Sequence, residues 1–140
     1  MSRDVRVTFY QVKTGEEKKG RIITLTTEYF EKKEPLLIRL PHEKALEYVD
    51  LLLWRFPQES FLPHAIKDTP TKDFIVLTTS NQNPNEAKSL LNLCPEPADN
   101  PNHSFIKIYE LEDLASTHKN HSAQERYKAY KEAGYSIITL

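Results

Sequence analysis

The stretch SAQERYKAYKEAG, residues 122–134, sets an aromatic ring among ammonium groups. On a helical projection Ala123, Arg126, Tyr130 and Ala133 share an inner side, Gln124, Lys128 and Lys131 line a polar side, and Tyr127 falls on the boundary. Such a boundary suits an apolar side chain that carries a carboxylate, because the ring can take the apolar part and the lysines the charge. The same spacing is also that of a plain solvated amphipathic helix, and spacing alone leaves both readings open.

Other chemistry is thinner. His118 and His121 stand three apart with His103 upstream, yet no Cys or carboxylate sits at ligand spacing to complete a four-coordinate site, so they read as exposed loop histidines. Cys94, the only cysteine, lies beside a proline with no base marked near it in sequence; it reads as a small apolar residue rather than a nucleophile. The acidic pair Glu16-Glu17 falls in a polar loop and gives no acid/base signal. The stretch TGEEKKGR lacks the spacing and the Gly-Lys-Ser/Thr ending of a phosphate-binding loop and reads as a charged surface turn. No cofactor and no metal is expected.

The single tryptophan raises a different question. Trp54 begins WRFPQESFLPH, where Phe56, Phe61 and Leu62 accompany it in a segment broken by Pro57 and Pro63. A helix from His42 to Phe56 would put Ala45, Leu46, Val49, Leu52, Leu53 and Phe56 on one face, with Trp54 almost opposite, near Glu47 and Asp50. Trp54 is therefore either core or a surface anchor, and the pattern does not choose. His64 reads as structural or interfacial.

The elements that must position these groups follow from hydrophobic period. Val5 to Val12 alternates as a strand, with Val5, Val7 and Phe9 against Arg6, Thr8 and Tyr10. KTGEEKKG reads as a polar loop, Arg21 to Lys33 as an amphipathic helix limited by Pro35, and PLLIRL as a second strand. FIVLTTS at Phe74 to Ser80 is a buried strand; SLLNLC could end a helix begun at Glu86 or form a strand. PEPADNPNH is a loop, and SFIKIYEL is a strand that sets Ile106, Ile108 and Glu110 on one side. Ser122 to Ala133 is a helix that Gly134 can end, and YSIITL is a closing strand. Strands alternating with helices predict an α/β fold, a mostly parallel sheet with helices on both faces.

With 140 residues the chain fits one domain, residues 1–140. No apolar run reaches the ~20 residues of a membrane span, the N-terminus lacks a signal-peptide core, and the lone cysteine suits a reducing compartment, so a cytoplasmic location is expected. Nineteen basic against twenty acidic residues, a net charge of -1, argue against strong direct binding to nucleic acid.

Taken together, VTFYQV, LLLWRFPQESFLPH, FIVLTTSNQNPNEAKSLLNL and QERYKAYKEAGYSI resemble the chi subunit of bacterial DNA polymerase III holoenzyme. The resemblance implies a Rossmann-like α/β domain without enzymatic activity. It further implies an adaptor that joins the psi subunit of the clamp-loader complex to single-stranded-DNA-binding protein, and it makes SLLNLC a strand. It implies a psi-binding surface at Trp54, Phe61, Pro63 and His64. It also implies a site for the acidic C-terminal tail of single-stranded-DNA-binding protein at Gln124, Tyr127, Lys128 and Lys131. Gln124 stands where relatives commonly carry arginine, and Asn120 lies near another usually basic position. Loss of a charge-assisted hydrogen bond there costs ~1.5–3 kcal/mol unless Lys119 or Lys128 compensates. Two other functions fit the same elements: a nucleotide-binding α/β enzyme, which the missing glycine loop disfavours, and an adaptor for a DNA-repair helicase at the Trp54 surface.

Overall fold

The computed structural model describes residues 4–55 and 62–140. Phe56, Pro57 and Phe61 lie outside them. In chain order the elements are β1 (Arg6–Val12), α1 (Gly15–Lys32), β2 (Leu36–Arg39), α2 (Glu43–Arg55), β3 (Ala65–Ile66), β4 (Ile75–Thr78), β5 (Ser89–Asn92), β6 (Lys107–Asp113), α3 (Thr117–Glu132) and β7 (Ser136–Thr139), with a single 3-10 turn at Pro101–His103. Among the described residues the strands form one sheet in the order β3-β4-β2-β5-β6-β1-β7, and every pair is parallel.

Parallel neighbours need crossovers, and right-handed crossovers decide which face each helix covers. The connection from β1 to β2 runs one way along the sheet and that from β6 to β7 the other, so α1 and α3 must lie on opposite faces. They do: Ile22, Leu25 and Tyr29 of α1 pack with Leu46, Val49, Leu52 and Leu53 of α2 over Leu36, Ile38, Ile75 and Leu77. Tyr130 of α3 packs on the other face with Val7, Phe9, Leu37, Val76, Leu90 and Ile108. Strands β2, β4 and β5 are buried along their whole length, which is why they read as continuous apolar runs rather than alternations.

Two helices start earlier than their apolar period predicts. Helix α1 begins at Gly15, inside the stretch expected to be a loop and a surface turn, because Thr14 and Glu17 form a reciprocal cap. Thr14 Oγ1 accepts from Glu17 N at 3.1 Å, and Glu17 Oε1 accepts from Lys13 N at 2.9 Å. Helix α3 begins at Thr117, capped by Ser116 Oγ, which accepts from Lys119 N at 3.0 Å; His118 and His121 therefore stand on an exposed helical turn, not in a loop. Ala133, expected on the inner side, is exposed and caps the helix end. Gly134 then takes φ 82°, as expected of the residue that stops the helix. The two-residue edge strand β3 follows WRFPQESFLPH and was not foreseen; it is too short to show a period.

The cap makes a direct claim on stability. Thr14→Ala should cost ~1 kcal/mol in urea unfolding, and Thr14→Ser much less, since serine keeps the accepting oxygen. Equal losses in both variants would mean that α1 is started by packing alone.

Candidate functional site

The Trp54 surface is organised by one carboxylate. Asp50 Oδ1 accepts from Trp54 Nε1 at 3.0 Å, one helical turn along α2, and lies 2.7 Å from His64 Nε2. His64 Nδ1 donates to the Leu62 carbonyl at 2.5 Å, and the imidazole lies 4.6 Å from the indole with the two rings tilted by 49°. The chain returns to this point because Leu62 is buried and its N–H donates to the Leu53 carbonyl at 3.0 Å. Of the residues expected here, Trp54 and Pro63 are exposed, whereas the His64 side chain is 1% exposed and supports the indole from below. Phe61 lies outside the described residues. Tyr48 and Leu51 are as exposed as Trp54 and precede it at intervals of three, so the apolar stripe runs along α2 beyond the single tryptophan. The signal was present in the sequence: α2 is apolar on two sides, and only one of them can face the sheet.

The second group lies on α3, across the sheet. Gln124, Tyr127, Lys128 and Lys131 are all exposed along one side of the helix. The Tyr127 ring sits 5.7 Å from that of Phe9 in β1, so one part is packed and the rest is open. Gln124 Nε2 donates to Asn120 Oδ1 at 3.4 Å, satisfying one amide with the other. Lys128 and Lys131 have no ion pair among the described residues, and both stand in the C-terminal half of α3, where the helix dipole favours cations.

Beneath this face lies a polar cluster that the sequence reading did not assemble. Arg126 on the inner side of α3 donates through Nε to Glu110 Oε1 at 2.8 Å, through Nη1 to Ser122 Oγ at 2.9 Å and to the Pro95 carbonyl, and through Nη2 to the Leu111 carbonyl. The other Glu110 oxygen accepts from Tyr130 Oη and from Asn92 Nδ2. Tyr130 Oη also accepts from Ala98 N at 2.8 Å. An arginine on the inner side of a helix needs a buried acceptor, and Glu110 sits on the same side of β6 as Ile108. That pairing was the available signal. The cluster clamps α3 to β5, β6 and the loop after β5, so residues 124–131 are presented on a rigid base.

Neither group resembles a catalytic centre. Burial pushes the Cys94 thiol up to about 11, which keeps it protonated and unreactive. Among the described residues no cluster of His, Cys, Asp or Glu could hold a metal, and no helix is long and apolar enough to cross a membrane. Beside the N-terminus of α1, where a phosphate would sit in a nucleotide-binding fold, the Glu17 carboxylate accepts from Lys13 N, and its charge disfavours an anion there.

A family model described as DNA polymerase III chi subunit, HolC, matches residues 5–138. The chain belongs to the chi subunit family of DNA polymerase III. The match spans both exposed groups and all of the sheet but the last residue of β7, so this chi-family chain is an accessory subunit of DNA polymerase III, with a Rossmann-like parallel sheet. No curated protein matches the chain.

The buried cluster predicts a pH dependence. Burial pushes the Glu110 carboxyl up to about 7, against the pull of Arg126 and of the hydrogen bonds it accepts. The folded chain then holds a proton that the unfolded chain releases near the ordinary carboxyl value of 4.5. The associated stability is fully present below that value and is lost as pH rises through about 7. Urea unfolding across this range should show wild-type stability falling with pH and a flatter profile in Glu110→Gln; parallel profiles would overturn the assignment to Glu110.

Proposed function

We propose that this chi-family chain is a non-catalytic adaptor that binds psi at the Trp54 surface and holds the acidic C-terminal tail of single-stranded-DNA-binding protein on α3. The observation that carries the tail site is the half-open Tyr127 ring beside Lys128 and Lys131, two lysines without ion pairs among the described residues. A terminal phenylalanine can lie against the ring while its carboxylate and the preceding acids face the ammonium groups. With glutamine at 124, the lysines carry the charge recognition, and tail binding should weaken steeply with salt.

The psi surface is supported by an exposed apolar stripe, Tyr48, Leu51 and Trp54, whose tryptophan is already fixed by Asp50 and His64. An anchor held in its bound rotamer loses little entropy on docking. Because α2 and α3 cover opposite faces of the sheet, the two partners do not compete for space, and a chain holding both raises the effective concentration of one near the other.

Fluorescence anisotropy with a labelled acidic peptide ending in Pro-Phe tests the tail site. Tyr127→Ala or Lys128→Ala should weaken binding on the order of tenfold, and amidation of the peptide carboxylate should do the same. Undiminished binding by the amidated peptide would sink the reading. Trp54→Ala should leave this titration unchanged while weakening capture of psi by roughly thirtyfold, the loss of one hot-spot residue. Loss of both activities in a folded Trp54 variant would rule out two separate sites.

A further inference from the structure

The last residues of β4, β2 and β5 and the middle residue of β6 are joined by the registers Thr78–Arg39, Arg39–Asn92 and Asn92–Glu110, which place four polar residues in one row across the sheet, and all four are buried. Three of them are accounted for. Glu110 and Asn92 belong to the clamp under α3, and Thr78 Oγ1 donates to Asp68. Arg39 is not. Its side chain reaches the surface at only 6% exposure, its Nε donates to the Ser80 carbonyl at 3.0 Å, and its guanidinium lies 5.7 Å from the Phe105 ring. Among the described residues it forms no ion pair, and its two Nη groups donate to no protein atom.

A cation so little exposed, with no direct ion pair, loses hydration that the charges of Cys94 and Asp99 offset only in part, and burial accordingly pulls the Arg39 pKa down. The cost is relieved if the unused Nη donors face a ligand. They line a crevice of ≈ 220 Å³ at the carboxyl edge of the sheet, with Thr79 and Asn81 on one side and Glu96 and Asp99 on the other. In open parallel sheets this edge is where small ligands bind. A guanidinium fork matches a carboxylate or a phosphate. The two acids at the mouth disfavour a dianionic phosphate and favour a molecule that brings its own positive charge. We propose that the Arg39 crevice is a binding site for a small amino-acid-like zwitterion, its carboxylate on Arg39 and its ammonium group toward Glu96 and Asp99.

The site is separate from both protein-binding surfaces, so it can be tested without either partner. The 15N-labelled full chain would be titrated with glycine, acetate and inorganic phosphate at constant ionic strength and followed by two-dimensional NMR. Glycine should give saturable shifts in the millimolar range, as so small a ligand permits, confined to the Arg39 Nε–H and to Thr79 and Asn81. Acetate should bind several-fold more weakly, and phosphate more weakly still. Arg39→Lys, checked for an otherwise native spectrum, should lose at least tenfold in glycine affinity; Asp99→Asn should weaken glycine and strengthen acetate. Unsaturable shifts spread over the wild-type surface would overturn the site. Phosphate or acetate binding as tightly as glycine would overturn the zwitterion assignment.

Discussion

The contact between Glu110 and Arg126 holds the working arrangement of this molecule together. A carboxyl with no exposure and a guanidinium with almost none are expensive to take out of water, and engaging every polar atom of the pair offsets that expense only in part, the remainder showing in the raised Glu110 pKa. That condition fixes geometry. Arg126 reaches Glu110 only when α3 lies at one height and one rotation over β6, and that rotation decides which side chains of the helix face outward. Gln124, Tyr127, Lys128 and Lys131 are the outward set. A core of interchangeable apolar contacts would allow α3 to slide or turn, whereas a satisfied ion pair allows one position.

The Trp54 surface follows the same logic on a smaller scale. Asp50 is shared between an indole and an imidazole, and the imidazole is in turn seated by the Leu62 carbonyl. The exposed indole is thus the last member of a chain of hydrogen bonds that begins at the buried Leu62. In both places the protein presents an aromatic group on a base made rigid by polar contacts, at a site where the apolar effect alone would leave the ring free to choose its rotamer.

Much of this was legible in the sequence, and the misses have physical causes. Strand and helix order came from period, because β1 and β6 alternate and α2 carries a clear apolar face. The early starts of α1 and α3 escaped because hydrophobic period says nothing about a first turn that is wholly polar; the Thr14-to-Glu17 cap was the local signal, and it lay in a stretch scanned for phosphate binding. The exposure of Gln124, Tyr127, Lys128 and Lys131 followed from helical spacing, since exposure needs only one element. Glu110 with Arg126 had a signal in the inner-side arginine and the facing strand position, but their contact depends on how α3 docks on β6; Arg39 with its crevice depends on registers between strands far apart in the chain, which no local pattern encodes. His64 read as structural or interfacial, and its burial under the indole answers to the structural side of that choice, which a histidine after proline could not settle alone.

The sheet order carries a consequence for synthesis. Arg6 of β1 pairs with Lys107 of β6 and with Ser136 of β7, and no strand lying between them in the chain touches β1. At ribosomal rates of roughly 5–20 residues per second, the first strand waits ~5–20 s before its first neighbour exists. Throughout that interval Val5, Val7 and Phe9 are an unpaired apolar ribbon, free to join another nascent chain. The N-terminal strand of this replication subunit is therefore among the last pieces to be shielded, and the stretch of its life most exposed to chaperones comes before it has a sheet to belong to.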